Sequence, residues 1–211
     1  MINKILGGIA VVVVLAMLGV TYMAFFIEKP KAVAKVDKVK GNASVLRDSE
    51  VTTLTPDSLI YAADKVLVKN GRATLVFADG TTLIMGDKTT IDVNGYEFDE
   101  DANIVTGSLG FVKGAIRVVT GRLTLARNLS VRSNSGTTLG IRGTDVFMGN
   151  LESDVIDVLL LESKRGVTVT NKQGKVKLEA AQGTTVTKGE APTNPKFWPQ
   201  AKVDKAMAMV Q

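Results

Sequence analysis

The chain has 211 residues, contains neither cysteine nor histidine, and carries a formal net charge of +5. The absence of cysteine excludes disulfide bonds and thiol catalysis, and the absence of histidine removes the commonest neutral-pH base and the commonest transition-metal ligand. The basic residues are scattered and are not clustered with aromatic residues, so we expect no nucleic-acid partner. We also expect no cofactor and no metal site.

The N-terminal segment is predicted to cross a membrane. Residues 5–27 contain no charged side chain, and a helix of about 23 residues is about 35 Å long, which is enough to span the hydrocarbon core. We expect residues 1–4 to be a cytoplasmic stub and residues 5–27 a transmembrane helix or signal anchor in the inner membrane, with the C-terminal domain in the periplasm. The alternative is a cleavable signal peptide, because Lys4 supplies a positive start and residues 32–34 resemble a cleavage site. Cleavage near Ala34 would leave a periplasmic or secreted protein.

Residues 28–35 are predicted to be a linker, and residues 36–189 a β domain. Aromatic residues are few, at 5%, and valine, threonine, leucine and glycine dominate, which favours strands. Alternating apolar and polar residues flank turn dipeptides such as Asp79-Gly80, and this spacing indicates consecutive hairpins or stacked rungs rather than βαβ units. Asn70-Gly71 is typical of a type I′ hairpin turn. We therefore predict an all-β, solenoid-like stack of short strands.

Two further segments are predicted from their patterns. The continuous apolar run 155–161 predicts a central strand that is buried on both faces. Residues 190–211 hold three of the five prolines and end in an amphipathic pattern, which predicts a tail with a short helix that caps the β domain. An alternative is that this tail docks a partner protein, and Phe197 and Trp198 are then the candidate contacts.

A glycine-rich segment contains an unusual arginine. The candidate binding or structural motif is Ile141, Arg142, Gly143, Thr144 and Asp145. Glycine there indicates a tight turn or crossing, because it adopts positive φ and allows close backbone approach. Arg142 either ties down carbonyl groups or an acid such as Asp145, or it binds the carboxylate or phosphate of a ligand. The sequence favours the structural interpretation.

Four segments carry a combined pattern, namely 63–66, 75–83, 114–123 and 139–146. Together they resemble the FecR-type periplasmic domain family over about residues 36–187. The resemblance implies a mostly β, solenoid-like exported domain carried on a single membrane helix. In the best-known members this domain receives a signal from an outer-membrane receptor and passes it inward to a sigma factor. Because only four residues precede the apolar segment, we expect no cytoplasmic arm and no sigma-factor contact from this chain alone.

These observations favour a non-enzymatic binding, sensing or signal-relay module in the bacterial envelope. Its partner would be an envelope protein or polysaccharide whose identity the sequence does not give. The alternative is a structural or scaffold subunit of an envelope complex. A less favoured hypothesis is an envelope glycan hydrolase that uses two carboxylates; its candidate acids, each with a simpler explanation as a turn residue, are Asp79, Asp87, Asp92 and Asp145.

Overall fold

The computed structural model describes residues 31–99, 104–121, 126–163 and 165–211. The helix predicted over residues 5–27 lies outside these described residues. Among the residues that are described, no helix has the length and apolar character that crossing a membrane requires. The chain from Ala32 to Gln211 forms one unit, and its first strand begins at Ala34, just inside the predicted linker.

Strands dominate the described residues, and a short helix follows them. This confirms the prediction of a β domain with a short helical tail. The strands are β1 (Ala34–Arg47), β2 (Glu50–Thr53), β3 (Leu59–Ile60), β4 (Lys65–Phe77), β5 (Thr82–Met85), β6 (Thr90–Asp99), β7 (Ile104–Lys113), β8 (Ala115–Val119), β9 (Ala126–Ser133), β10 (Thr138–Ile141), β11 (Thr144–Gly149), β12 (Val155–Ser163), β13 (Val167–Thr170), β14 (Lys175–Leu178), β15 (Gln182–Thr187) and β16 (Lys196–Phe197), and the helix α1 is Gln200–Ala208.

These strands form one large mixed sheet. Its order is β14-β13-β10-β9-β7-β6-β4-β5-β8-β11-β12-β15-β16, and β1 pairs with β2, β3 and β4. The β7–β9 pair is parallel, whereas the chain neighbours β11 and β12 are antiparallel, like the other pairs of the described strands. The solenoid-like stacking of the strands stays a prediction.

The long strand β4 divides the sheet into two layers. Its first half pairs with β6 and its second half with β5. Between the halves lies Gly71, directly opposite Gly41 of β1, and both glycines have φ of +89°. A Cβ on Gly71 would collide with the carbonyl oxygen of Lys40. The hairpin turn predicted at Asn70-Gly71 is therefore wrong, because the positive φ serves a bend within a continuous strand.

The connection between β10 and β11 shows that the two layers face each other. Six strands separate β10 from β11 in the sheet order, yet only Arg142 and Gly143 join them in the chain. Three peptide steps of about 3.8 Å cover about 11 Å, which matches the separation of about 10 Å between packed sheets. The sheet therefore folds back on itself, and residues 142–143 cross from the first layer, which contains β10, to the second, which contains β11.

The main core lies between these layers. It combines fully buried side chains of the first layer, such as Phe111 and Leu139, with those of the second, such as Leu83 and Met148. Burying these apolar faces against each other supplies the dominant favourable term in folding.

Strand β12 contributes to two clusters at once. Val158 and Leu160 point into the main core, whereas Leu159 points to the opposite face and joins a second cluster with Trp198 and Ala206 of the tail. Alternation of side chains along a strand explains this division. The prediction that residues 155–161 are buried on both faces is confirmed.

We expect Gly71→Ala to lower the free energy of unfolding by about 2–4 kcal/mol, measured by urea denaturation. A non-glycine residue at positive φ costs about 1–2 kcal/mol, and the backbone collision adds to this.

Gly189→Ala is the matched control, since Gly189 has φ of +86° and open space around it. It should show only the cost of the positive φ, about 1–2 kcal/mol. Equal losses in the two variants would contradict the strand-bending role of Gly71.

Candidate functional site

The predicted motif lies at the crossing between the layers. Ile141 ends β10 and is buried, and Gly143 adopts φ of +68° in the two-residue connection. Thr144, which is also buried, begins β11. The segment therefore forms the tight crossing that its glycines indicate.

Thr144 is held by hydrogen bonds to Thr120, the residue that follows β8. Its backbone N–H donates to Thr120 Oγ1 at 2.7 Å, and its carbonyl oxygen accepts from the Thr120 N–H at 3.0 Å. These hydrogen bonds fix where β11 begins, so the crossing has a structural role.

Asp145 pairs with Arg117 rather than with Arg142. Arg117 Nε lies 2.8 Å from Asp145 Oδ1, and Nη2 lies 2.6 Å from Oδ2. This bidentate hydrogen bonding raises the pKa of Arg117 against the opposing effect of burial. Because the pKa is raised, the charged guanidinium stabilises the fold throughout the neutral range, and this contribution is lost only as pH rises through the raised pKa.

Arg142 is exposed, and within the described part of the chain it makes no hydrogen bond or ion pair. The predicted tie between Arg142 and Asp145 is therefore wrong, since Arg117 already occupies both carboxylate oxygens. A ligand contact at Arg142 stays a prediction.

The other acids of the family-like segments are also committed to structural contacts. Asp64, which is 1% exposed, accepts two hydrogen bonds from Arg47, at 2.7 and 2.6 Å, and one from the Tyr61 N–H. Asp79 is fully buried and accepts hydrogen bonds from Thr81. These carboxylates hold turns and strand ends in place.

The remaining candidate carboxylates of the hydrolase hypothesis are engaged as well. Asp87 accepts a hydrogen bond from the Gly71 N–H at 3.1 Å, and Asp92 lies 3.2 Å from Lys65 Nζ. Together with Asp79 and Asp145, all four candidates have a structural partner.

A cleft of about 910 Å³ lies at the opposite end of β8 and β11 from the crossing. Loops that connect strands line it, together with strand residues such as Arg72 of β4 and Lys113 of β7 and the C-terminal end of α1. Its charged side chains are Arg72, Asp87, Lys88, Lys113, Asp154 and Lys188. Its uncharged polar side chains are Ser133, Asn134, Ser135, Asn150 and Ser153, and its apolar side chains include Val112, Ile156 and Met209.

Hydrogen bonds between loops hold the walls of this cleft. Asn150 exchanges two bonds with Gly114, since Asn150 Oδ1 accepts from the Gly114 N–H at 3.1 Å and the Asn150 N–H donates to the Gly114 carbonyl at 2.8 Å. Asn150 Nδ2 also donates to the carbonyl of Val155 at 2.7 Å. The cleft is thus formed by loops anchored on a rigid β scaffold, the usual position of binding residues.

Sequence reasoning named Asp87, as a candidate acid of a hydrolase, but it did not find the basic residues of the cleft. The basic residues that line it come from four separate places in the chain, and no local motif joins them. The sequence offered only an indirect indication of the cleft. In an antiparallel sheet every second loop lies at the same end of the strands, so residues in those loops are close together in space.

The tail packs its tryptophan inward. Trp198 is 7% exposed and lies against Gly183, where a Cβ would collide with the indole ring, and Lys202 Nζ lies 4.2 Å from the ring centroid. Lys202 also binds the buried Asp157 at 2.6 Å. Trp198 is therefore a capping residue that is too buried to offer a partner surface. Phe197 is 71% exposed, and a partner contact there stays a prediction.

We expect Arg117→Gln to lower the free energy of unfolding by about 1–3 kcal/mol, because it leaves the partly buried carboxylate of Asp145 without its partner. Thermal or urea unfolding measures this effect. Arg142→Gln is the control with the same change of charge, and as an exposed residue it should stay within about 0.5 kcal/mol of the wild type. A loss at Arg142 as large as that at Arg117 would contradict this assignment.

Comparisons with known proteins agree with the fold. Two crystal structures, at 2.50 and 1.65 Å resolution, of a candidate anti-sigma factor from Parabacteroides distasonis are similar to this chain, each with a TM-score of 0.52 and 15% sequence identity. Each match covers 66% of this chain and 62% of the other, so the chain spans less than two thirds of that protein's length. At this identity the likeness shows a shared fold.

A search of curated proteins found no significant match. The model of the FecR protein family matches residues 64–177, which is 114 of the 211 residues, and the chain therefore belongs to the FecR protein family.

Proposed function

We propose that this FecR family protein is a membrane-anchored, non-enzymatic binding and signal-relay module of the bacterial envelope. The observation that carries the proposal is that stabilising contacts lie at one end of the strands and an open cleft lies at the other. The family-like segments form partly buried contacts such as Thr144–Thr120 and Asp145–Arg117, while anchored loops at the opposite end border an open cleft. A rigid scaffold that presents a loop-lined cleft suits ligand binding.

The contacts of the carboxylates favour binding over hydrolysis. A glycan hydrolase needs one acid that can donate a proton and a second that can act as nucleophile or base. Asp145 accepts both hydrogen bonds of Arg117, and Asp79 is buried among hydroxyl donors. Such ionic and hydrogen-bonded carboxylates serve the fold.

The apolar sequence of residues 5–27 supports anchoring in the inner membrane with the β domain in the periplasm. The start of β1 supports an anchor that is not cleaved. Ala34 is buried, and the Val33 N–H donates to the Ile60 carbonyl at 2.8 Å. Cleavage near Ala34 would remove these contacts from the edge of the domain, which disfavours the released form.

Family membership and the candidate anti-sigma factor with a similar fold support the proposed relay role. In this proposal the partner is an envelope protein or polysaccharide that the domain recognises outside the cytoplasm. A scaffold role in an envelope complex is the second candidate, favoured by Phe197, which is exposed on the two-residue strand β16 at the end of the sheet.

We expect the full chain with alkaline phosphatase fused after Gln211 to show phosphatase activity in intact cells of a bacterium with a periplasm. This enzyme needs disulfide bonds, which form outside the cytoplasm. Mass spectrometry of the membrane fraction should find the N-terminal residues intact.

The matched control is the same fusion without residues 1–27, which should be inactive. Activity of this control, or inactivity of the full fusion, would contradict export by the apolar segment. Cross-linking in intact envelopes should recover a specific envelope protein or polysaccharide with the full chain. Recovery of no specific partner would contradict the proposed binding role.

A further inference from the structure

We infer that the cleft binds an acidic saccharide through its carboxylate or phosphate groups. This inference rests on the proposed role as a binding module and names the class of ligand for the same cleft. Its volume of about 910 Å³ lies within the range of small-ligand sites, about 300–1,000 Å³.

The charge of the cleft is the first argument. Arg72, Lys88, Lys113 and Lys188 line it, and among the described residues none of these four makes an ion pair or a side-chain hydrogen bond. Some basic residues elsewhere pair with acids, as Lys202 does with Asp157, and others, such as Lys175 and Lys177, are exposed without an acidic partner. The four cleft residues differ from both groups because they line one concave surface. Four basic side chains without partners around a concave surface focus a positive potential and favour an anionic ligand.

The two acids of the cleft do not cancel this charge. Asp87 accepts a hydrogen bond from the Gly71 N–H at 3.1 Å. Asp154 is the exposed last residue of the β11–β12 connection, with φ of +61°. The count of four cations against two carboxylates leaves an excess of positive charge. Carboxylates beside cations also provide the acceptors that sugar hydroxyl groups need.

The uncharged lining is the second argument, and it favours a saccharide. The side chains of Ser135, Asn134 and Ser153 are exposed in the cleft and can exchange hydrogen bonds with hydroxyl groups. Val112 and Met209 add an apolar part, which suits the C–H face of a sugar ring. A lining with both characters fits a ligand that is itself both polar and apolar.

The strand pairing is the third argument, and it disfavours an extended acidic peptide. Peptides commonly bind by adding a strand to a free sheet edge. The strands whose ends border the cleft include β8 and β11, which are paired on both sides. At these two strands the cleft therefore offers loop ends and side chains and no free edge.

The test uses the full chain in detergent and two probes, trigalacturonate for carboxylates and glucose 6-phosphate for phosphates. Isothermal titration calorimetry should show saturable binding of at least one of them, weakened by added salt. Maltotriose, which is neutral, should bind at least about tenfold more weakly, because it cannot form charge-assisted hydrogen bonds with the basic side chains.

The variant with Lys113→Gln and Lys188→Gln should weaken binding of the acidic probe at least about tenfold. The matched control is the variant with Lys175→Gln and Lys177→Gln, which removes two exposed lysines of β14 that do not line the cleft. This control should bind within about twofold of the wild type, since it leaves the cleft unchanged. Circular dichroism should give both variants the wild-type β spectrum.

Binding of neither acidic probe, or equal weakening by the two double variants, would overturn the inference. Tighter binding of a glutamate-rich peptide than of either acidic saccharide would overturn it as well. None of these results would contradict the proposed role as a binding module, because cross-linking in envelopes tests that role with the natural partner. Absence of a specific cross-linked partner would contradict the proposed binding module itself.

Discussion

The fold depends on one constraint: a sheet whose apolar face is too large to leave in water has to fold back on itself. Two long strands make this possible, because β1 and β4 run through both layers and bend where Gly41 and Gly71 meet at φ of +89°. Only glycine allows both the positive φ and the close backbone contact there. The bend lets β6 and β5 leave β4 in different layers, and the main core fills the space between them.

The position of the functional features follows from this folding. Each chain segment that passes between the layers needs a short, well-fixed connection, and the residues of the FecR-like motif supply one at Arg142 and Gly143. The hydrogen bonds of Thr144 and the ion pair of Asp145 fix that end of the sheet. The opposite end carries the connections 86–89, 134–137 and 150–154, which can hold binding residues without disturbing the core. The motif segment thus stabilises the scaffold, and the loops at the other end of the strands are available for binding.

Several features could be predicted from local sequence. The alternation of apolar and polar residues predicted the β class, and the run 155–161 predicted a strand buried on both faces. Asp79-Gly80 predicted a turn, and Gly80 has φ of +79°. Asn70-Gly71 misled because the same positive φ that closes a hairpin can bend a long strand, and only the distant partner Gly41 decides between them. Arg142 stood out in the sequence, but the partner of Asp145 is Arg117, 28 residues earlier on a neighbouring strand. The basic residues of the cleft are spread between positions 72 and 188 and come together only in the folded chain, so no local sequence pattern predicts the cleft.

We propose that the domain recognises its ligand in the cleft and that the motif at the crossing stabilises the fold. Hydrogen–deuterium exchange of the full chain, with and without trigalacturonate, tests it most directly. We expect added protection in the cleft loops, around residues 86–89, 133–136 and 150–154, and unchanged exchange at residues 141–145. Protection that appears at residues 141–145 while the cleft loops stay unchanged would contradict the account.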